Sequence, residues 1–112
     1  MIETRQARYF VAVAEELHFG RAAERLRMSQ PPLSQAVRGL ERSLGVQLLE
    51  RSSRSVSLTE PGRVFLAHCY TLLAQAERAG AAAAQAQSGH VGRLQLAAVT
   101  SAFAEPLPRV LA

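Results

Sequence analysis

The side chains best suited to chemistry lie in residues 29–44, SQPPLSQAVRGLERSL. Pro31, Ser34, Gln35, Arg38 and Arg42 fall on one face at helical spacing, with a single acid, Glu41, at its edge. Arg can grip guanine through two hydrogen bonds, Gln can do the same with adenine, and Ser serves bases or phosphates. The chemistry on offer is therefore recognition of a nucleic acid. A plain solvated face is the competing reading, because the outer side of any amphipathic helix is polar. The neighbouring elements decide between the two.

No catalytic constellation competes with this face. The 112 residues contain no Asp, one cysteine and three scattered histidines, His18, His68 and His90. They show neither zinc-type spacing nor a glycine-rich phosphate loop. A nucleophilic triad needs an acid orienting a base, and no such arrangement is visible. The reading is a non-enzyme without cofactor or metal. His18 reads as a capping or solvated imidazole. Cys69 excludes an internal disulfide and reads as a small apolar residue, buried or at an interface.

Several elements must position the polar face. Its own helix starts with Ser29 as an N-cap, whose hydroxyl can accept a first-turn N–H. Pro31 and Pro32 follow where amides have no partner to lose. Leu33, Val37, Leu40 and Leu44 form the apolar stripe, and Gly45 ends the helix as a left-handed residue. Residues 4–17 form an earlier helix with Ala7, Phe10, Val11, Ala14 and Leu17 on its core face. His18-Phe19-Gly20 breaks it, and Phe19 staples the next entry. Residues 21–27, RAAERLR, form a short helix burying Ala22, Ala23 and Leu26. Two helices joined by a tight turn, the second polar outside, make a helix-turn-helix. Beyond Gly45, Leu48-Leu49 and Val56–Leu58 are two short β-like runs around the polar ERSSRS. They make a hairpin with Arg51 and Arg54 at or near its tip. Three helices and a two-stranded wing give a mainly α, winged helix-turn-helix fold.

Thr59-Glu60-Pro61 then opens a long helix. Phe65, Cys69, Leu72, Ala76, Ala79 and Ala83 step by four and three, a heptad seam that asks for a partner chain. At 1.5 Å per residue the helix reaches about 40 Å. All thirteen cationic side chains are Arg and all nine acids are Glu, giving a net charge of +4 that suits an anionic partner. Met1–Gln6 is polar, without a signal-peptide pattern, and no apolar run reaches the roughly 18 residues of a membrane span. A cytoplasmic protein, with no membrane partner, is expected.

The stretch RYFVAVAEELHFGRAAERLRMSQPPLSQAVRGLERSLGVQLLERSSRSVSLTEPG carries FVAVAEE, RAAERL, SQPPLS, LE..LGVQLLER and SLTEPG. With these motifs the chain resembles the N-terminal domain of LysR-type bacterial transcriptional regulators over residues 1 to about 62. The resemblance implies a DNA-binding domain at 1–59, with its helix-turn-helix at about 19–38 and the third helix in the major groove. It implies that Ser29, Gln30, Pro31, Pro32, Ser34, Gln35 and Arg38 face DNA, with Arg51 and Arg54 on the wing. Residues 60–88 would be the linker helix pairing two subunits, so that a homodimer reads an inverted-repeat operator. Residues 89–112 would begin an effector-binding domain, with GRLQLAAV as its first strand. One strand and one helix cannot build a doubly wound ligand site. A small-molecule effector and a tetramer are thus expected only of a full-length form, and residues 91–112 are expected to pack poorly or to dock on a neighbouring chain. The family pattern often has a basic residue at Gln35 and a Gln at Ala36, so the operator cannot be copied from a relative. The alternative is a truncated interaction module that pairs with a full-length relative without productive DNA binding.

Overall fold

The computed structural model describes residues 1–89. The chain divides into two compact units, Met1–Ala76 and Glu77–Ala112. The expectations for the tail, a strand at GRLQLAAV and a helix after it, lie outside the described residues.

In the first unit, α1 (Thr4–Glu16) begins where the Glu3 amide donates to Gln6 Oε1 at 2.9 Å. It buries Ala7, Phe10, Val11, Val13 and Ala14. The helix stops one residue earlier than its apolar pattern suggests. Leu17 turns left-handed at φ 51° and donates its N–H to the Val13 carbonyl. Leu17, expected in the core stripe, is consequently 43% exposed. α2 (Phe19–Leu26) starts earlier than expected because His18 is its N-cap, its Nδ1 accepting from the Arg21 amide at 3.0 Å. Phe19 therefore sits inside the first turn rather than stapling it from outside. Arg27, left-handed at φ 58°, closes α2 with its N–H on the Glu24 carbonyl.

α3 (Gln30–Leu44) follows Ser29. Ser29 has the extended backbone of an N-cap, but its hydroxyl makes no cap hydrogen bond, so the start rests on the prolines and the turn. Leu33, Val37 and Leu40 are buried against α1 and α2. Leu44, the fourth member of the stripe, is 37% exposed at the helix end. Gly45 takes φ 73° and donates to the Glu41 carbonyl, as the sequence predicts. β1 (Leu49–Arg51) and β2 (Val56–Leu58) pair antiparallel, Leu49 opposite Leu58 and Arg51 opposite Val56. The turn between them is tied by Ser52, whose Oγ accepts from the amides of Arg54 and Ser55.

α4 (Glu60–Gln87) starts at Thr59, as expected. The Thr59 hydroxyl accepts from the Gly62 amide at 3.0 Å and donates to the Gln47 carbonyl at 2.6 Å. Gly62 is buried against the Leu48 carbonyl oxygen, which would stand 2.1 Å from any Cβ placed there. Phe65 meets Phe10 edge-to-face with centroids 5.2 Å apart, and Cys69 is 2% exposed in the same core. In the second unit, residues 77–87 are the last turns of α4, exposed throughout. No helix among the described residues is long and apolar enough to cross a membrane.

Candidate nucleic-acid interface

α3 buries three large apolar side chains on one side, which forces its polar residues outward. Gln30, Pro31, Pro32, Gln35, Arg38 and Arg42 are exposed, and Ser34 is half-buried among them. This brings together the face expected from spacing. Arg38 and Arg42, one turn apart, line an open concavity of about 500 Å³ beside the wing root, with Gln47 and Arg51 across from them. Arg54 stands exposed in the hairpin turn. That turn and Gln30 flank one depression of about 340 Å³, so the wing tip lies beside the first turn of α3. Arg54, Gln35, Arg38 and Arg42 have open solvent before them and donors that suit phosphates and base edges.

Arg51 lies near the tip, as expected, but its side chain is engaged within the chain. It ends β1 directly before the turn, and its side chain is 21% exposed. Its Nη2 donates to Glu41 Oε1 at 3.3 Å, and its guanidinium carbon lies 5.0 Å over the Phe19 ring. Burial pulls its pKa below the ordinary arginine value, Glu41 opposes that shift, and Arg38 adds to it. Among the described residues, Arg51 Nε is the buried side-chain atom without a hydrogen-bond partner.

Glu41 is the residue that sequence reasoning missed. On the helical wheel it is only an acid at the edge of the polar face. In the fold its Oε2 accepts from the Leu48 amide at 2.9 Å and the Leu49 amide at 3.1 Å. Its partners lie seven to ten positions away across a loop. Helical periodicity carries no signal for them.

The expected dimer seam is split by burial. Phe65 and Cys69 belong to the chain's own core, and burial pushes the Cys69 thiol up to about 11. A heptad pattern says that a stripe is buried, not which chain buries it. Leu72 is 38% exposed, and Ala76, Ala79 and Ala83 are exposed as well. A second apolar surface went unnoticed in the sequence. Leu44, Val46, Pro61, Val64 and His68 line an open groove of about 510 Å³. No group of three His, Cys, Asp or Glu that could hold a metal ion occurs among the described residues.

Known proteins share this arrangement. The family model for the bacterial regulatory helix-turn-helix protein, lysR family, matches residues 4–63. The uncharacterized HTH-type transcriptional regulator YnfL of Escherichia coli (strain K12) is 52% identical over 101 residues, covering 90% of this chain and 34% of its own length. The HTH-type transcriptional regulator AlsR of Bacillus subtilis (strain 168) is 47% identical over 110 residues, 98% of this chain and 36% of its own. The chain thus spans about a third of the length of the curated relatives it matches. A crystal structure of the BenM DBD with benA site 1 DNA superposes with a TM-score of 0.76 at 44% identity, covering 80% of this chain and all of that one. Full-length CbnR complexed with its target DNA gives 0.73 at 45% identity, over 76% of this chain and 30% of that one. The fold is that of a winged helix-turn-helix, and the chain belongs to the lysR family of bacterial regulatory helix-turn-helix proteins.

Proposed function

We propose that this chain is the sequence-specific DNA-binding part of a transcription regulator. α3 enters the major groove and presents Gln30, Pro31, Pro32, Ser34, Gln35 and Arg38 to base edges and nearby phosphates, with Ser29 at its start. Arg54 on the wing reaches phosphates or a narrow minor groove. The observation that carries this reading is the exposed outer face of α3, whose guanidinium and amide groups stand beside the exposed Arg54 of the hairpin turn. Two of the similar structures named above hold DNA, and the two relatives are named as transcriptional regulators.

A homodimer through α4 fits the same reading, because two recognition helices then meet an inverted repeat. Leu72, Ala76, Ala79 and Ala83 are the exposed members of the seam left for a second chain. A tetramer and a small-molecule effector belong to a full-length form. Light scattering at micromolar concentration should give twice the 12.1 kDa chain mass, and a monomer mass would end the dimer reading.

The direct test is a titration of the purified chain against duplex DNA from upstream of its own gene, beside a scrambled duplex, at two salt concentrations. Tighter binding to the native duplex that persists at the higher salt supports sequence-specific recognition. Equal binding to both that collapses with salt reduces the chain to a basic domain held by phosphates alone. No binding at either salt favours the interaction module that pairs without DNA.

A further inference from the structure

We propose that Glu41 is the positioning residue of the wing, and that it sets the sequence preference at the edge of the bound site by fixing Arg54 relative to α3. The second half rests on the DNA-binding reading above. The starting point is the size of the hairpin. Each strand has three residues, and an isolated two-stranded hairpin is marginal in water. Its place on the domain must therefore be imposed from outside the ladder.

Leu48 and Leu49 bury their side chains in the core, with Val56 and Leu58 packed against it, and one carboxylate then fixes the backbone and side chain at both ends of β1. Glu41 Oε2 takes the amides of Leu48 and Leu49, where Leu49 forms a rung with Leu58. Glu41 Oε1 takes the guanidinium of Arg51, which forms the rung with Val56. Arg51 in turn lies over Phe19 in the first turn of α2. From the other side, the Leu48 carbonyl accepts the Thr59 amide. The wing root is thereby held between α3 and α4, and Arg54 follows three residues beyond Arg51. Glu41 itself lies one turn after Arg38 on α3. The contact that aims the wing therefore originates on the same rigid helix as the candidate base reader.

The chemistry asks for a carboxylate. All three partners donate, and an ionised carboxylate only accepts. Glu41→Gln replaces one acceptor oxygen with an NH₂ group, which must then face a donor, and it removes the charge opposite Arg51. The helix surface is otherwise unchanged, so the substitution separates wing placement from α3 itself.

Two measurements on the full chain test the proposal. In amide hydrogen exchange, Glu41→Gln should speed exchange at Leu49, Ser52 and the β2 ladder by about tenfold or more, leaving the α1 core amides at wild-type rates. In selection from a randomised duplex library, the variant should keep the central preference read by α3 and lose the flanking preference. Its salt slope should fall by about 0.9 for a lost phosphate contact. Arg38→Ala should do the reverse, altering the central preference at unchanged hairpin exchange. Equal acceleration of hairpin and α1 amides, or none at the hairpin, overturns the positioning role. Unchanged flanks at accelerated hairpin exchange overturn the specificity role. If the wild-type chain selects no sequence, the DNA reading fails and takes the flanking preference with it, while exchange still decides the positioning.

Discussion

Arg51 and Arg54 are three residues apart in one hairpin and have the same side-chain type, yet the fold gives them opposite surroundings. Arg54 sits in the turn with solvent before it. Arg51 sits in the ladder, paired with Glu41 and laid over Phe19. Arg38 and Arg42 on α3 are exposed as Arg54 is. Charge alone thus does not decide whether a guanidinium is left for an outside partner. What separates the two is whether an acid and an aromatic ring already use the guanidinium, and both partners come from distant parts of the chain.

The contrast breaks most severely at the wing root. Gly62→Ala places a methyl group 2.1 Å from the Leu48 carbonyl oxygen, a contact that only backbone movement relieves. A loss of about 3 kcal/mol is expected, as for overpacking in a core, read from chemical denaturation. A change under about 0.5 kcal/mol would show that the root yields easily.

The next test compares the two arginines directly. Arg51→Ala removes the charge opposite a mostly buried Glu41 and uncovers Phe19, and should cost about 1–3 kcal/mol of stability, less than for a fully buried pair. Arg54→Ala should stay within about 0.5 kcal/mol while lowering the salt slope of DNA binding by about 0.9. Equal stability losses would erase the distinction between the two residues.

Local chemistry was legible in the sequence, and contacts across loops were not. The stripe of α3, its proline start and its left-handed Gly45 follow from spacing and backbone preference. So do the hairpin runs and the Thr59 start of α4. Leu17 continues the apolar pattern past the end of α1, and Leu44 carries it to the exposed last residue of α3, because hydrophobic periodicity does not register a helix end. α2 starts before its apolar pattern for a related reason: imidazole capping by His18 is a weaker sequence signal than Ser or Asp. The outer face of α3 is legible as a set, since surface positions at helical spacing need no tertiary knowledge. Arg51, Glu41 and the split of the α4 seam were out of reach. Their roles depend on which distant backbone amide, carboxylate or ring the topology delivers.

A smaller effect sharpens the comparison between α1, α2 and α4. Tyr70 on α4 donates to the Glu15 carboxylate, which also takes Arg25 at 2.6 Å. Tyr70 and Arg25 hold the Glu15 carboxyl below its ordinary value of 4.5. A lowered carboxylate pKa stabilises the fold above the ordinary glutamate range and loses that contribution as pH falls through it. These groups are largely exposed, so the contribution should be only about a few tenths of a kcal/mol. Melting of wild type and Tyr70→Phe from pH 7 to pH 3 should show the difference between them shrinking toward low pH. A difference constant with pH would show that ionisation of the Glu15 carboxyl does not contribute.

If α3 reads sequence through its exposed face, removing the Arg38 side chain should show it. Binding of wild type and Arg38→Ala should be measured on the native duplex and on a scrambled one at a single salt concentration. Arg38→Ala should lose about 1–3 kcal/mol on the native duplex and distinctly less on the scrambled one, so that discrimination narrows. Equal losses on both duplexes would make Arg38 a phosphate contact, and no loss on either would contradict the placement of α3 in the groove.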